Sequence, residues 1–177
     1  RVYDQLNQAV EGIGPEEGKV VFLPFLNGSM DSSRSRGVWL GMSPLDTREH
    51  MVRAAYEGVV FSHRYHVERL LRTRETPRAI RLSGGVTKSD VWLQMFADIL
   101  QLPIEIVDGA ELGAKGAAIA AAIGAGFYRD FMEASMETVK IKKAVMPNQG
   151  RKAVYDGKYG NFIKTMNALH GLWEDIF

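Results

Sequence analysis

Two adjacent glycines, Gly84 and Gly85, are the residues of this sequence with the clearest potential for chemistry. They follow a short apolar run that ends at Leu82, and a run with helical spacing comes after them. Glycines at a strand-to-helix turn let backbone N–H groups approach a phosphate at the helix N-terminus. A glycine pair also serves as a purely steric solution to a tight turn, so the pattern alone leaves both interpretations open.

The common nucleotide-binding fingerprints do not decide between these interpretations. The sequence contains no G-x-G-x-x-G, and the stretch from Gly109 to Gly116 has neither the spacing nor the Ser/Thr of a P-loop. The glycine turn therefore has to be judged together with its flanking residues.

Other polar residues are weaker candidates. Glu57 could reach a ribose hydroxyl, although a glutamate within a helix more often pairs with a neighbouring cation or faces solvent. His63 and His66 share a helical face, but no third zinc ligand is evident and cysteine is absent, which favours a structural role. Arg34 and Arg36 could meet a phosphate, whereas arginines in exposed loops are usually solvated.

Composition limits the classes of partner. The chain has 177 residues, near the size of one domain, and its 22 basic residues nearly cancel its 21 acidic ones. We therefore predict no nucleic-acid or membrane partner, and the apolar stretch from Ala117 to Phe127 is too short to span a bilayer. Without cysteine there is no disulfide framework, and we predict a cytoplasmic protein. Because the first residue is Arg1, we expect the chain to be part of a longer one.

Hydrophobic periodicity predicts a series of alternating elements. Asp46 and Glu49 have the form of a capping box that opens a long helix. The predicted strands are 20–23, 37–42, 78–82 and 104–107, and the predicted helices are 3–10, 46–71, 91–100, 113–125 and 153–177. The two successive strand-to-helix steps after Arg78 predict an α/β fold with right-handed parallel crossovers.

Four ordered segments carry a family resemblance. They are Gly37-Val38-Trp39-Leu40-Gly41-Met42 with the stretch 50–58, Leu82-Ser83-Gly84-Gly85, the stretch 89–98, and the stretch 112–118. Together these segments resemble the FGGY carbohydrate kinases. The resemblance covers roughly residues 20–127, and the rest of the chain is compatible with it.

The resemblance implies an α/β, ribonuclease H-like (actin-like ATPase) fold, of which this chain supplies an incomplete C-terminal lobe. It divides the chain into an N-terminal remnant or linker at 1–19, the nucleotide-binding lobe at 20–127, and a helical extension at 128–177 that packs on the lobe. The expected partners are ATP, a sugar and the missing N-terminal lobe.

The resemblance also implies roles for individual residues. Gly84 and Gly85 are expected beside the ribose and α-phosphate of ATP, Val86 is expected in the same nucleotide site, and Ser89 falls where family members can contact adenine. Some relatives carry asparagine at the Ser89 position. Glu57 completes the expected nucleotide site. Mg²⁺ would be bound mainly by the missing lobe, which would also carry the catalytic base, so this chain has no catalytic residue and is expected to be inactive alone.

The sugar follows only from local similarity. Residues 56–63 and 89–92 look nearest to kinases of L-xylulose and 3-keto-L-gulonate within the family, while D-xylulose, ribulose or another pentulose remains open. Two alternatives also remain: a non-catalytic, actin-like module that senses nucleotide or binds a protein, and an α/β domain whose glycine turn is purely structural.

We also predict a symmetric homodimer. Strands before Val20 would be needed to cover the sheet, and the apolar residues of the helix around Tyr56 to Leu71 and of the tail around Tyr155 to Trp173 offer further surface for association.

Overall fold

The computed structural model describes residues 2–109 and 111–176. Phe177, the last residue of the predicted tail helix, lies outside this range. The elements in chain order are α1 Val2–Glu11, β1 Val21–Leu23, β2 Val38–Leu40, α2 Arg48–Leu71, β3 Ile80–Leu82, α3 Asp90–Leu100, β4 Ile104–Val107, α4 Leu112–Gly124, α5 Phe131–Thr138, β5 Ile141–Val145 and α6 Lys152–Ile176. Short 3-10 helices occupy Gly85–Lys88 and Gln149–Arg151. The mixture of helices and strands confirms the predicted α/β class.

The first two strands form an antiparallel ribbon. Phe22 lies opposite Trp39 in the register, and their rings are tilted against each other with centroids 4.3 Å apart. The polar segment between the strands is therefore a loop, as its serine-rich sequence predicts.

The other three strands form a mixed sheet in the order β3-β4-β5. β3 and β4 are parallel and connected through α3, as the strand-to-helix pattern predicts. The second predicted parallel crossover is wrong, because the chain after β4 continues through α4 and α5 into β5, which is antiparallel to β4. Tertiary pairing with β4 defines β5, since Ile-Lys-Lys-Ala-Val has no regular alternation of apolar residues.

Helix α2 begins two residues later than its predicted cap. Thr47 is the N-cap, and its backbone N–H donates to Nδ1 of His50 at 3.1 Å. Asp46 instead accepts hydrogen bonds from the backbone N–H and hydroxyl of Ser43, at 2.6 and 2.8 Å. The predicted Asp46–Glu49 capping box is therefore wrong, because the aspartate closes the preceding turn.

Helix α2 packs closely on β1 through Gly58. A Cβ atom at this position would overlap the carbonyl oxygen of Phe22, so only glycine permits this approach of helix to strand. Glu57, the neighbouring residue, is only 2 % exposed.

A single hydrophobic core draws residues from all three expected segments of the chain. Its buried members include Val10 of α1, Leu23 of β1, Leu93 of α3 and Phe162 of α6. Helix α6 thus contributes to the same core as the sheet and the central helices.

Helices α4 and α5 stand apart from this core. No residue of α4 is buried, although its sequence is rich in alanine and isoleucine. The exposed apolar side chains of this region are Phe127, Phe131, Met132 and Met136, each more than 60 % exposed. Within the described residues, no helix is long and apolar enough to cross a membrane.

Candidate functional site

The turn after β3 has the geometry of an anion-binding site. Gly84 has a φ of +84°, a conformation that residues with a Cβ rarely adopt, and Gly85 then opens a 3-10 helix. The backbone N–H groups of Gly84, Gly85 and Val86 have no hydrogen-bond acceptor in the described part of the chain. Consecutive free N–H groups at such a turn form a concavity that suits phosphate oxygens.

Neither glycine of this turn is required by contacts within the chain. A Cβ built on Gly84 or Gly85 would meet no atom within 4 Å. The turn lies on the wall of a cavity of about 960 Å³. Open space beside bare backbone is what a close ligand approach requires.

The cavity lies at the carboxyl ends of the parallel strands β3 and β4, where ligands bind in open α/β sheets. Its other walls come from the β4–α4 connection and from β5. The lining residues outside the glycine turn include Ile106, Val107, Asp108, Gly109, Glu111, Gly113, Lys142 and Lys143.

Charged side chains of both signs surround the cavity. Lys88, Lys142 and Lys143 supply positive charge, and Asp108 and Glu111 supply negative charge. Lys143 forms an ion pair with Asp90, with 2.6 Å between Nζ and Oδ1. With three lysines against two lining carboxylates, the cavity has no strong field of one sign, so anion binding would rest mainly on the backbone N–H groups.

Ser89 is the N-cap of α3, and its hydroxyl is engaged within the protein. Its Oγ accepts a hydrogen bond from the backbone N–H of Trp92 at 3.2 Å and donates to Oδ1 of Asn7 at 2.8 Å. The residue is only 7 % exposed. A hydroxyl can donate only one hydrogen bond, and Ser89 donates it to Asn7, so Ser89 has no donor left for a ligand.

Val86 has two different roles. Its side chain packs against the core, whereas its N–H belongs to the free donors of the turn. It therefore contributes backbone, and not side chain, to the candidate site.

Glu57 lies outside the glycine-turn cavity. Its Oε1 accepts a hydrogen bond from Nε of Arg53 at 2.8 Å, and its Oε2 lies 2.5 Å from Nζ of Lys158. Arg53 also donates to the carbonyls of Val10 and Ile13 and to the hydroxyl of Tyr155. Both oxygens of Glu57 are thus occupied, and we leave Glu57 out of the proposed nucleotide site.

Burial of this ionic network perturbs two of its members. Desolvation lowers the pKa of Lys158 despite the opposing charge of Glu57. Burial also raises the pKa of Tyr155 to about 12. A second cavity of about 610 Å³ adjoins the network between β1, α2 and α6. The network joins α1, α2 and α6, which is a structural role.

The remaining candidates have local partners. Arg34 pairs with Glu174 at 3.2 Å, and Arg36 donates to the carbonyls of Ser33, Arg34 and Ser35. Burial, with a further contribution from His66, lowers the pKa of His63. No group of three or more metal-ligating side chains occurs within residues 2–109 and 111–176.

The structure brings Gly84, Gly85, Val86 and Ser89 together in one turn and adds residues that sequence reasoning missed. Lys142 and Lys143 reach the cavity on β5, and Asn7 reaches Ser89 from α1. A lysine pair in an exposed strand gives no sequence signal of a site, and neither does one asparagine in a weakly patterned helix.

Comparison with known proteins agrees with this architecture. Residues 3–125 match the model of the FGGY family of carbohydrate kinases, C-terminal domain. The chain is 37 % identical over 174 residues to the L-xylulose/3-keto-L-gulonate kinase of Escherichia coli (strain K12), covering 98 % of this chain and 35 % of that protein.

Solved structures show the same fold. A xylulose kinase from Rhodospirillum rubrum superposes with a TM-score of 0.86 at 30 % identity, covering 97 % of this chain and 35 % of that one. A ligand-bound xylulose kinase from Lactobacillus acidophilus superposes with a TM-score of 0.90 at 24 % identity, covering 98 % of this chain and 36 % of that one. The chain thus spans about a third of the length of these relatives. The actin-like fold of the sugar kinases is confirmed, and the chain belongs to the FGGY family of carbohydrate kinases, matching its C-terminal domain.

Proposed function

We propose that this chain is the nucleotide-binding part of an ATP-dependent ketose kinase. The observation that carries the proposal is the turn at Gly84 and Gly85. The backbone N–H groups of Gly84, Gly85 and Val86 have no acceptor in the described part of the chain, and a Cβ added at either glycine would meet no atom within 4 Å. Membership of a carbohydrate kinase family supplies the reaction class.

In this proposal the chain acts by binding and positioning. Phosphoryl transfer needs little covalent chemistry from the protein and depends on alignment and on neutralisation of charge. The N–H groups of the turn would hold the nucleotide near its α-phosphate, and the open space beside Gly85 would admit the ribose. The base that deprotonates the sugar would lie in the part of the relatives' length that this chain does not span.

Mg²⁺ fits this site only when it is also coordinated by the phosphates of a bound nucleotide. Asp108 and Glu111 are the carboxylates that line the cavity, and magnesium usually takes one or two carboxylates together with substrate phosphates. The metal would neutralise phosphate charge. We propose that the missing lobe supplies most of its protein ligands.

The proposed acceptor is L-xylulose or 3-keto-L-gulonate. The support is the 37 % identity to a kinase named for these two sugars. D-xylulose, ribulose and other pentuloses are the competing substrates to test. We place the whole enzyme in the cytoplasm, where ATP and sugar intermediates occur.

The first prediction is that this chain binds ATP weakly but does not phosphorylate L-xylulose. The glycine turn supplies binding groups, whereas the base is absent from the chain. Isothermal titration with ATP and Mg²⁺ measures the binding, and a coupled ADP-release assay measures turnover. Turnover that scales with the amount of this chain and survives repurification would contradict the proposal that the catalytic base lies outside it. Failure to bind any adenine nucleotide would contradict the proposed site.

The matched experiment uses the full-length protein that contains this chain. It should phosphorylate L-xylulose or 3-keto-L-gulonate in preference to D-xylulose and ribulose. Nucleotide binding without phosphorylation of any ketose would favour the non-catalytic sensing module.

The second prediction is that the chain forms a symmetric dimer. Part of the surface first expected to pair is buried within the chain, since Phe61 of α2 packs against Tyr159 and Phe162 of α6 at ring-centroid distances of 5.9 and 5.7 Å. Leu70 and Leu172 of the same two helices remain exposed. The exposed apolar side chains of α4 and α5 offer the alternative surface. Sedimentation equilibrium at micromolar concentration should show self-association, and a clean 19.7 kDa monomer would contradict it.

A further inference from the structure

We propose that the cavity between β1, α2 and α6 is a second binding site, which takes the phosphate group of a small molecule. This cavity has a volume of about 610 Å³. It shares no lining residue with the glycine-turn cavity, so the inference does not depend on the proposed nucleotide site.

The buried charges beside this cavity are not balanced. Arg53 and Lys158 both pair with the single carboxylate of Glu57, at 2.8 and 2.5 Å. None of the three side chains is more than 16 % exposed. A buried cation without a counter-charge is energetically costly. One of the two positive charges therefore has no carboxylate of its own.

The other hydrogen-bond partners of these cations carry no full negative charge. Arg53 and Lys158 donate to three backbone carbonyls, and Arg53 also donates to the hydroxyl of Tyr155. The nearby buried carboxylate of Asp98 is itself paired with Arg151 at 3.1 Å. Desolvation, with a further contribution from the charge of Arg53, lowers the pKa of Lys158, as expected for an ammonium group short of counter-charge.

The outer wall of the cavity adds to this excess. Lys19 and Lys164 line the cavity and have no ion-pair partner among the described residues, whereas Glu16 adds one carboxylate. With the buried group included, four cationic side chains face two carboxylates, an excess of two positive charges. A phosphate monoester carries nearly two negative charges at neutral pH, and lysine binds phosphate as a point charge. The excess therefore matches one phosphate group.

Helix α6 leaves space for a ligand beside these charges. Gly157, Asn161 and Lys164 are spaced by four and three residues and share the face of α6 that lines the cavity. A Cβ built on Gly157 would meet no atom within 4 Å, although glycine weakens a helix interior relative to alanine. Packing within the chain therefore does not require glycine here, and the open space admits the body of a ligand.

The test uses inorganic phosphate as the probe and a chain that carries Gly85→Val, so that the glycine turn is obstructed in every sample. Isothermal titration at constant ionic strength should detect phosphate binding in the millimolar range. Acetate, which has a single charge, should bind at least about fivefold more weakly, because the Coulomb attraction scales with the charge of the ligand. Equal affinities for phosphate and acetate, or no binding of phosphate, would overturn the proposal.

The decisive variant is Gly157→Leu, which fills the cavity without changing any charge. It should weaken phosphate binding at least about tenfold, because its side chain occupies the space of the ligand. Gly160→Leu is the matched control, since Gly160 of α6 is equally free of neighbours within 4 Å but does not line the cavity. Thermal unfolding verifies that both variants fold, and equal phosphate affinities of the two would contradict the site.

A second pair of variants tests the charge. Lys164→Met should weaken phosphate binding about two- to fivefold, as expected for the loss of one exposed charge. Lys152→Met makes the same change on the same helix, but Lys152 pairs with Asp156 and does not line the cavity. It should leave phosphate affinity unchanged, and an equal effect of both variants would show that the binding is not local to this cavity.

Discussion

Replacing Gly85 with valine should reduce nucleotide affinity by well over tenfold while leaving the fold intact. A Cβ at this position meets no atom of the chain within 4 Å, so the branched side chain would project into the open space beside the turn. There it would obstruct the approach of a nucleotide to the free N–H groups. Isothermal titration with ATP measures the loss, and thermal unfolding verifies the fold.

The same substitution has a specific signature in the full-length enzyme. The KM for ATP should rise far more than the KM for the sugar, because only the nucleotide contacts this turn. Gly116→Val is the matched control, since Gly116 of α4 is equally free of neighbours but does not line the cavity. Equal effects on both substrates, or equal effects of both variants, would show that Gly85 does not lie beside the nucleotide.

Replacing Arg53 with methionine should cost about 3–5 kcal/mol of folding free energy. Arg53 is 5 % exposed and donates to Glu57, Tyr155 and two backbone carbonyls. Methionine fills much of the volume but supplies no hydrogen-bond donor. The buried carboxylate of Glu57 would lose one of its cations, and the two backbone carbonyls and the Tyr155 hydroxyl would each lose a donor. Urea unfolding followed by circular dichroism measures the change.

A surface ion pair provides the control for this prediction. Arg129 is paired with Glu133 at 3.1 Å, and its side chain is 84 % exposed. Arg129→Met should change stability by less than about 1 kcal/mol. A similarly small effect of Arg53→Met would show that the buried network contributes little beyond the apolar packing of its members.

The sequence alone determined the α/β class, the family and the glycine turn. Apolar periodicity located α2, α3, β3 and β4, because helix and strand spacing are properties of neighbouring residues. The conformational freedom of Gly84 and Gly85 is likewise a local property, and it marked the turn before any contact was known. The structure places this turn at the end of β3, as the sequence predicts.

Tertiary structure decided which polar side chains are available to a ligand. Glu57 forms an ion pair with Lys158, which lies about a hundred positions later in the sequence. The hydroxyl of Ser89 donates its hydrogen bond to Asn7, which lies 82 positions earlier. Pairing with β4 likewise made a strand of the segment that contains Lys142 and Lys143 and brought both lysines to the cavity. These outcomes depend on partners distant in the sequence, so no local pattern contains them. The residue type determines which donors and acceptors a side chain has. Tertiary packing determines whether those groups already have partners within the protein or are available to a ligand.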